Sequence, residues 1–352
     1  MKGKERIRAY VRGEPVDRLP YMPIVMSFAA QGIKAKYKDF TTDYRLIAEG
    51  QVVFADRFGA DHVSVITDPA VESSDLGQPV IWYEDEPPAN DESRSLLMDK
   101  ASLAHLKQVR PEDGRRMSNR INAVAALADR VGDDLLVEGW VEGPCAEASD
   151  LRGLSRLMMD FYDDPGFIRD LLSFTTALGV SFAKAQIEAG ATVVGVGDAA
   201  SSLMGPEIFA EFIKDHHRAY VEAIHAGGAL ARLHICGNTT ALMPLLTDIP
   251  YDIIDLDHLA SVSRSRAALG PDRILLGHLD TVAVMRDGTP DTVRRALAQV
   301  LEEAGGSNYI VSAGCEIPRD TPEANFQAML DFARETRPYG TRLQWGSCQG
   351  RN

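Results

Sequence analysis

The sequence predicts an α/β fold, a closed (β/α)8 barrel, and three observations carry that prediction. Short apolar runs recur eight times along the chain. Segments with apolar residues at helical spacing, often ended by glycine, separate them. The runs are apolar on both faces, as strands covered on both sides require. With 352 residues, 45% hydrophobic and 25% charged, the chain has enough material for one such barrel with decorations.

Taken in order, residues 1–18 read as an N-terminal helical extension. The first two strands are placed at PYMPIVMSF (20–28) and DHVSVITD (61–68). Residues 70–130 form a long insertion between early strands, in which YEDEPPANDESRS reads as an exposed loop. Six further strands follow: DLLVEGWVEG (134–143), ATVVGVGD (191–198), LARLHICG (230–237), DIIDLD (252–257), RILLGHLD (273–280) and NYIVSAGC (308–315). GPEIFAEFIKDHHRAYVEAIHAGG and DTVRRALAQVLEEAGGS show the helical pattern between them. The barrel domain is expected to span 1–340. Residues 341–352 form a tail of little periodicity, expected to be disordered.

The net charge of −14, from 51 acidic and 37 basic residues, repels phosphate backbones and anionic lipid, which argues against nucleic-acid or membrane partners. The charged start MKGKERIRAYVRGEPVDR is unlike a signal peptide, and no run of 18 apolar residues occurs, so the chain reads as cytoplasmic. In that compartment four scattered cysteines, Cys145, Cys236, Cys315 and Cys348, suggest metal or catalytic thiols rather than disulfides.

The strongest local signal is His234-Ile235-Cys236. Residues i and i+2 of a strand share a face, with Cα atoms roughly 6.5–7 Å apart, so both side chains can reach one metal. The pair ends a barrel strand, at the face where barrel active sites are built. Cys315 ends the eighth strand at the same level. Two thiolates and one imidazole leave a fourth tetrahedral position open, the pattern of a catalytic zinc. Two thiolates also neutralise the formal charge of Zn²⁺, which makes it poorly suited to sharpening water. It suits lowering the pKa of a substrate thiol and keeping it electron-rich for attack on carbon. A buried His–Cys pair that merely packs is the competing explanation.

The segments GEPVDRLPYMPI, DPAVESSDLG, VEGPC, LHICGNT, GHLDTVAVMRDGTPDTV and YIVSAGCEIPRDTPEANFQAM resemble the uroporphyrinogen decarboxylase superfamily. Within it, the chain looks like the methylcobalamin:coenzyme M methyltransferase branch, whose zinc signature His-x-Cys…Cys matches His234, Cys236 and Cys315. The resemblance implies a TIM barrel, Zn²⁺, and a methyl group moved to or from the cobalt of a corrinoid. It implies a separate corrinoid protein as partner, because no DxHxxG motif is present. The small-molecule partner would be a thiol or a methoxylated compound, and a homo-oligomer is compatible with it. Two departures stand out. Residues 19–33 contain no arginine, unlike the porphyrinogen-gripping decarboxylase branch, and His278-Leu279-Asp280-Thr281 replaces the family's Asn-x-Asp-Pro. A metal-free lyase of the decarboxylase type and a non-catalytic, zinc-stabilised subunit are the alternatives.

Asp198, Asp257 and Asp280 each end a predicted strand. They suit orientation of the His ligand, substrate contact or proton handling, and equally helix capping. Asp198, Asp257 and His278 are taken as catalytic candidates, His278 because imidazole titrates near neutrality. Asp68 resembles the strand-end aspartates. Glu142 is a candidate resting-state ligand of the metal. Cys145 reads as a small buried thiol, and His216, His217 and His225 as a solvated outer helix face. Gly195-Val196-Gly197 lacks the third glycine of a dinucleotide fingerprint.

Overall fold

A computed structural model describes residues 1–336. Seven strands pair in parallel in chain order: β1 (His62–Ser64), β4 (Leu136–Glu142), β5 (Val193–Gly197), β6 (Leu230–His234), β7 (Ile253–Leu256), β8 (Ile274–Leu279) and β9 (Tyr309–Ala313). A separate antiparallel pair, β2 (Val80–Ile81) with β3 (Ala89–Asn90), lies in the insertion. α-Helices stand between successive barrel strands, save for β6 and β7, which the 3-10 turn Met243–Leu246 joins.

The ring closes through residues 20–22, although 20–28 does not form a strand along its length. Tyr21 makes a single parallel bridge to Val311. Met22 N donates to Val311 O at 3.0 Å, Val311 N to Pro20 O at 2.9 Å, and on the other side Asp61 N donates to Tyr21 O at 2.9 Å. Pro20 and Pro23 flank this point without N–H donors, which is why the ladder stops after one residue pair. The Asp61 carboxylate accepts from Tyr21 N, Arg6 and Arg18, tying the N-terminal helix Gly3–Val11 to the seam.

The predicted insertion is more ordered than its composition suggests. It holds helix Val71–Asp75, the β2–β3 hairpin, two short 3-10 turns and helix Arg115–Val131. The stretch YEDEPPANDESRS contains β3 and a turn at Glu92–Arg94, because Asp91 accepts from Ser93 N and starts that turn. The expected boundary at 340, the 341–352 tail and Cys348 lie outside the described residues. No helix among the described residues is long and apolar enough to cross a membrane.

The barrel interior is layered, and one layer is ionic. Arg232, fully buried on β6, is gripped by Asp255 of β7 (2.7 Å) and Glu138 of β4 (2.9 Å). His62 of β1 lies 3.5 Å from Glu138, and burial beside Arg232 drops its pKa to about 3. Next along β4, Trp140 lies over β5. A Cβ on Gly195 would fall 2.3 Å from the indole ring, and one on Gly197 would fall 2.8 Å from it. The Gly-Val-Gly sequence therefore makes room for an aromatic ring.

Candidate metal centre

At the C-terminal ends of the strands, β6 and β9 deliver three donors to one point. His234 Nε2 lies 3.1 Å from Cys236 Sγ. Cys236 Sγ lies 3.5 Å from Cys315 Sγ, which in turn lies 3.7 Å from His234 Nε2. For tetrahedral zinc the same edges would be about 3.5–3.8 Å from ordinary Zn–N and Zn–S lengths. The donor triangle therefore fits a zinc-sized ion, and the soft thiolate pair suits that metal. Among the described residues this is the one group of three or more His, Cys, Asp or Glu whose ligand atoms all lie within 4.8 Å.

Local sequence explains the geometry. His234 is the last residue of β6, and the chain then bends at Gly237, held at φ 94°, turning Cys236 back over the imidazole. Cys315 is preceded by Gly314, where a Cβ would meet the His258 backbone N at 2.7 Å. Without that glycine the end of β9 would be pushed off the β7 loop.

Asp255 completes the arrangement. Its Oδ2 accepts from His234 Nδ1 at 2.8 Å, which leaves Nε2 facing the two sulfurs. Burial opposes charging His234, but the hydrogen bonds to Asp255 and Cys315 outweigh it and lift the imidazole to about 10. The contact from Cys236, against the cost of burial and with help from His234, draws the Cys315 thiol well down. The Cys236 thiol is driven up by Cys315 and by burial. Ligation requires both thiols and the His234 Nε2 to be free of protons.

The other candidates are not gathered round these donors. Asp198 is fully buried and caps the helix Pro144–Arg152, accepting from Ala146 N at 2.6 Å, with Ser201 and His217 on its other oxygen. Asp257 accepts from Leu259 N at 2.9 Å and pairs with His258 at 3.1 Å. It is near enough for its charge to be felt at Cys236. Asp280 accepts from Val282 N and Ala283 N, a third cap. His278 follows Gly277, which sits at φ 119°, and donates from Nε2 to Ala260 O at 2.6 Å. It lines a cavity with Ala296, Gln299, Val300 and Glu303, on the side of helix Pro290–Glu303, and burial lowers its pKa. Asp68 is locked to Arg116 and Arg120. Glu142 lies outside the three-donor group, and Cys145 is buried with its thiol pKa raised.

His217 departs from the expected solvated face. It is fully buried, with Nδ1 at 2.8 Å from the Tyr251 hydroxyl and Nε2 at 3.0 Å from Asp198. The strand-end carboxylate Asp198 needs a partner in the helix layer, and His217 supplies it.

Sequence reasoning missed Asp255 and the ionic layer beneath it. The signal was present: a fully apolar strand does not carry Arg232 without a carboxylate opposite. The observed pairing of Arg232 with Ile253 sets His234 across from Asp255.

A parallel barrel that gathers an imidazole and two cysteine sulfurs at its C-terminal mouth has the strand-end arrangement of a barrel enzyme site. The family model for uroporphyrinogen decarboxylase (URO-D) matches residues 2–336, and the chain belongs to that family. It is 26% identical over 348 residues to the methylcobamide:CoM methyltransferase MtbA of Methanosarcina mazei, covering 95% of this chain and 98% of that protein. It is 25% identical over 343 residues to a uroporphyrinogen decarboxylase of Anaeromyxobacter dehalogenans, covering 93% and 97%. A methyltransferase structure from Methanosarcina mazei superposes with a TM-score of 0.82 at 21% identity, covering 95% of this chain and 99% of that one, and so shares the barrel fold.

Proposed function

We propose that the chain is a zinc-dependent methyltransferase of the cytoplasm. It would move a methyl group between a corrinoid carried by a separate protein and a small thiol or methoxylated substrate. The observation that carries the reading is the convergence of His234 Nε2, Cys236 Sγ and Cys315 Sγ within 4.8 Å at the barrel mouth. Zinc held there would acidify a substrate thiol or polarise a methyl donor at its fourth position. Asp255 holds the His234 tautomer, Arg232 holds Asp255, and Glu138 holds Arg232, so the ligand set is preorganised from below. Relatives named as methylcobamide:CoM methyltransferases support the corrinoid and the thiol.

A partner carrying a bulky cofactor needs an apolar landing surface beside the mouth. Leu203, Leu259 and Val282 are exposed on the segments that follow β5, β7 and β8, on the same face as the donors. The test joins elemental analysis to methylcobalamin demethylation across several thiols. About one zinc per chain is expected, lost in Cys236→Ala and in Cys315→Ala together with methyl transfer. A metal-free wild type with full activity would overturn the proposal. Unfolding on chelation would instead assign the metal a structural role.

A further inference from the structure

Two cysteines of the candidate metal centre sit sulfur to sulfur. Cys236 Sγ and Cys315 Sγ are 3.5 Å apart, although 79 positions separate them in the chain. A disulfide bond is about 2.05 Å long, so an approach of roughly 1.5 Å would join them.

The local chain permits that approach. Neither cysteine belongs to a strand, since β6 ends at His234 and β9 at Ala313, and so the sheet ladder pins neither one. Gly237 follows Cys236 in the left-handed region at φ 94°, and Gly314 precedes Cys315. Rotation about the Cα–Cβ bonds moves both sulfurs while the barrel wall stays in place. Both side chains are half-buried, within reach of a small oxidant, whereas Cys145 is fully buried.

A peroxide supplies the oxidising equivalents. One thiolate sulfur attacks a peroxide oxygen, the O–O bond breaks, and the thiol proton leaves with the departing hydroxide as water. That sulfur is now a sulfenic acid. The second sulfur attacks it, the S–O bond breaks, and a second water leaves as the S–S bond forms. Two thiols and one hydrogen peroxide thus give one disulfide and two waters.

Disulfide and metal compete for the same atoms. Disulfide sulfurs are uncharged and ligate metals poorly, so oxidation removes two of the three donors at once and leaves His234 alone. Thiolates bound to zinc share their lone pairs with it and attack peroxide more slowly.

We propose that Cys236 and Cys315 form a reversible oxidation site: when no metal holds them, peroxide joins them in a disulfide that shuts metal out until a dithiol reopens it. The inference concerns the metal-free chain and goes beyond the methyl-transfer reading, whichever donor or acceptor the centre serves.

The test treats metal-free and zinc-loaded full-length protein with one equivalent of hydrogen peroxide. The metal-free protein is expected to lose two titratable thiols per chain. It should yield a cross-link between tryptic peptides 233–264 and 296–319, which carry Cys236 and Cys315. Its zinc uptake, read with a chromophoric chelator, should fall by about tenfold or more, and dithiothreitol should restore both thiols and uptake. The zinc-loaded protein should form the cross-link about tenfold or more slowly. Cys145→Ala should behave as wild type. Oxidation that ends in sulfinic acid, a cross-link through Cys145 or Cys348 instead, or one that forms equally fast with zinc bound overturns the proposal. If the chain takes up no zinc at all, the functional reading falls alone. The cross-link and its reversal by dithiothreitol then still decide the oxidation site.

Discussion

Asp255 determines which nitrogen of His234 faces the two sulfurs, and so its charge reaches the candidate metal site without touching it. Its carboxylate is shared between His234 Nδ1 and the Arg232 guanidinium. Asp255→Asn keeps an acceptor for Nδ1–H but removes the charge that raises the imidazole's basicity. Zinc affinity, measured by competition with a chromophoric chelator, is expected to fall about 10–100-fold. Unchanged affinity would show that the hydrogen bond does not tune the ligand. The trio itself was readable from the chain because i and i+2 of a strand share a face and because strand ends collect at one mouth. Asp255 was not, since its role depends on the β6–β7 register, which a lone sequence does not display. His278 misled for a related reason. One left-handed residue, Gly277, precedes it, and the side chain ends among residues of the outer helix.

At the level of elements, β4 and β5 fit each other through an absence. Trp140 occupies the space two missing side chains leave at Gly195 and Gly197, and its ring centre lies 5.8 Å from that of His234. Gly195→Ala forces the ring to move within a packed layer, which costs about 1–3 kcal/mol. The melting temperature should fall by several degrees, and the displaced ring should weaken zinc retention. Trp140→Phe opens space, so the double variant should lose less stability than the two single changes summed, which denaturant titration of all three would show. Additive losses would mean that the two residues do not share the clash. Seven of the eight expected strands form, since their apolar runs allow burial on both faces. The first does not, because Pro20 and Pro23 leave it one bridge. Order in the insertion is not legible in the sequence, because short hairpins and capped turns are built from the same polar residues as loops.

For the molecule as a whole, buried carboxyls set how stability answers to pH. Burial pushes the Glu72 carboxyl up to about 7, and burial with mutual repulsion also raises Glu142, Glu147 and Asp150 well above the ordinary carboxylate range. A raised folded-state pKa means the folded chain holds protons that the unfolded chain has already released. Its stabilising effect is therefore complete below the ordinary glutamate value of 4.5 and is lost as pH rises through about 7. His62 works in the opposite sense, because the unfolded histidine charges below 6.5 while the buried one stays neutral down to about 3. Asp68, held down to about 2 by Arg116 and Arg120 against the cost of burial, gives its contribution away only in strong acid. Between pH 8 and 6.5 the carboxyls thus act without His62. Glu72→Gln isolates one of them, since its amide oxygen can still accept from Glu142 N while the ionisable group is gone. Measured by calorimetry on metal-free protein, the variant should be more stable than wild type at pH 8 by roughly 3 kcal/mol, the worth of the Glu72 shift. The difference should shrink as pH falls and vanish only below the ordinary glutamate value of 4.5. A gap that stays constant with pH would show that Glu72 is neutral in both states or charged in both, and that the carboxyl cluster holds no proton of its own.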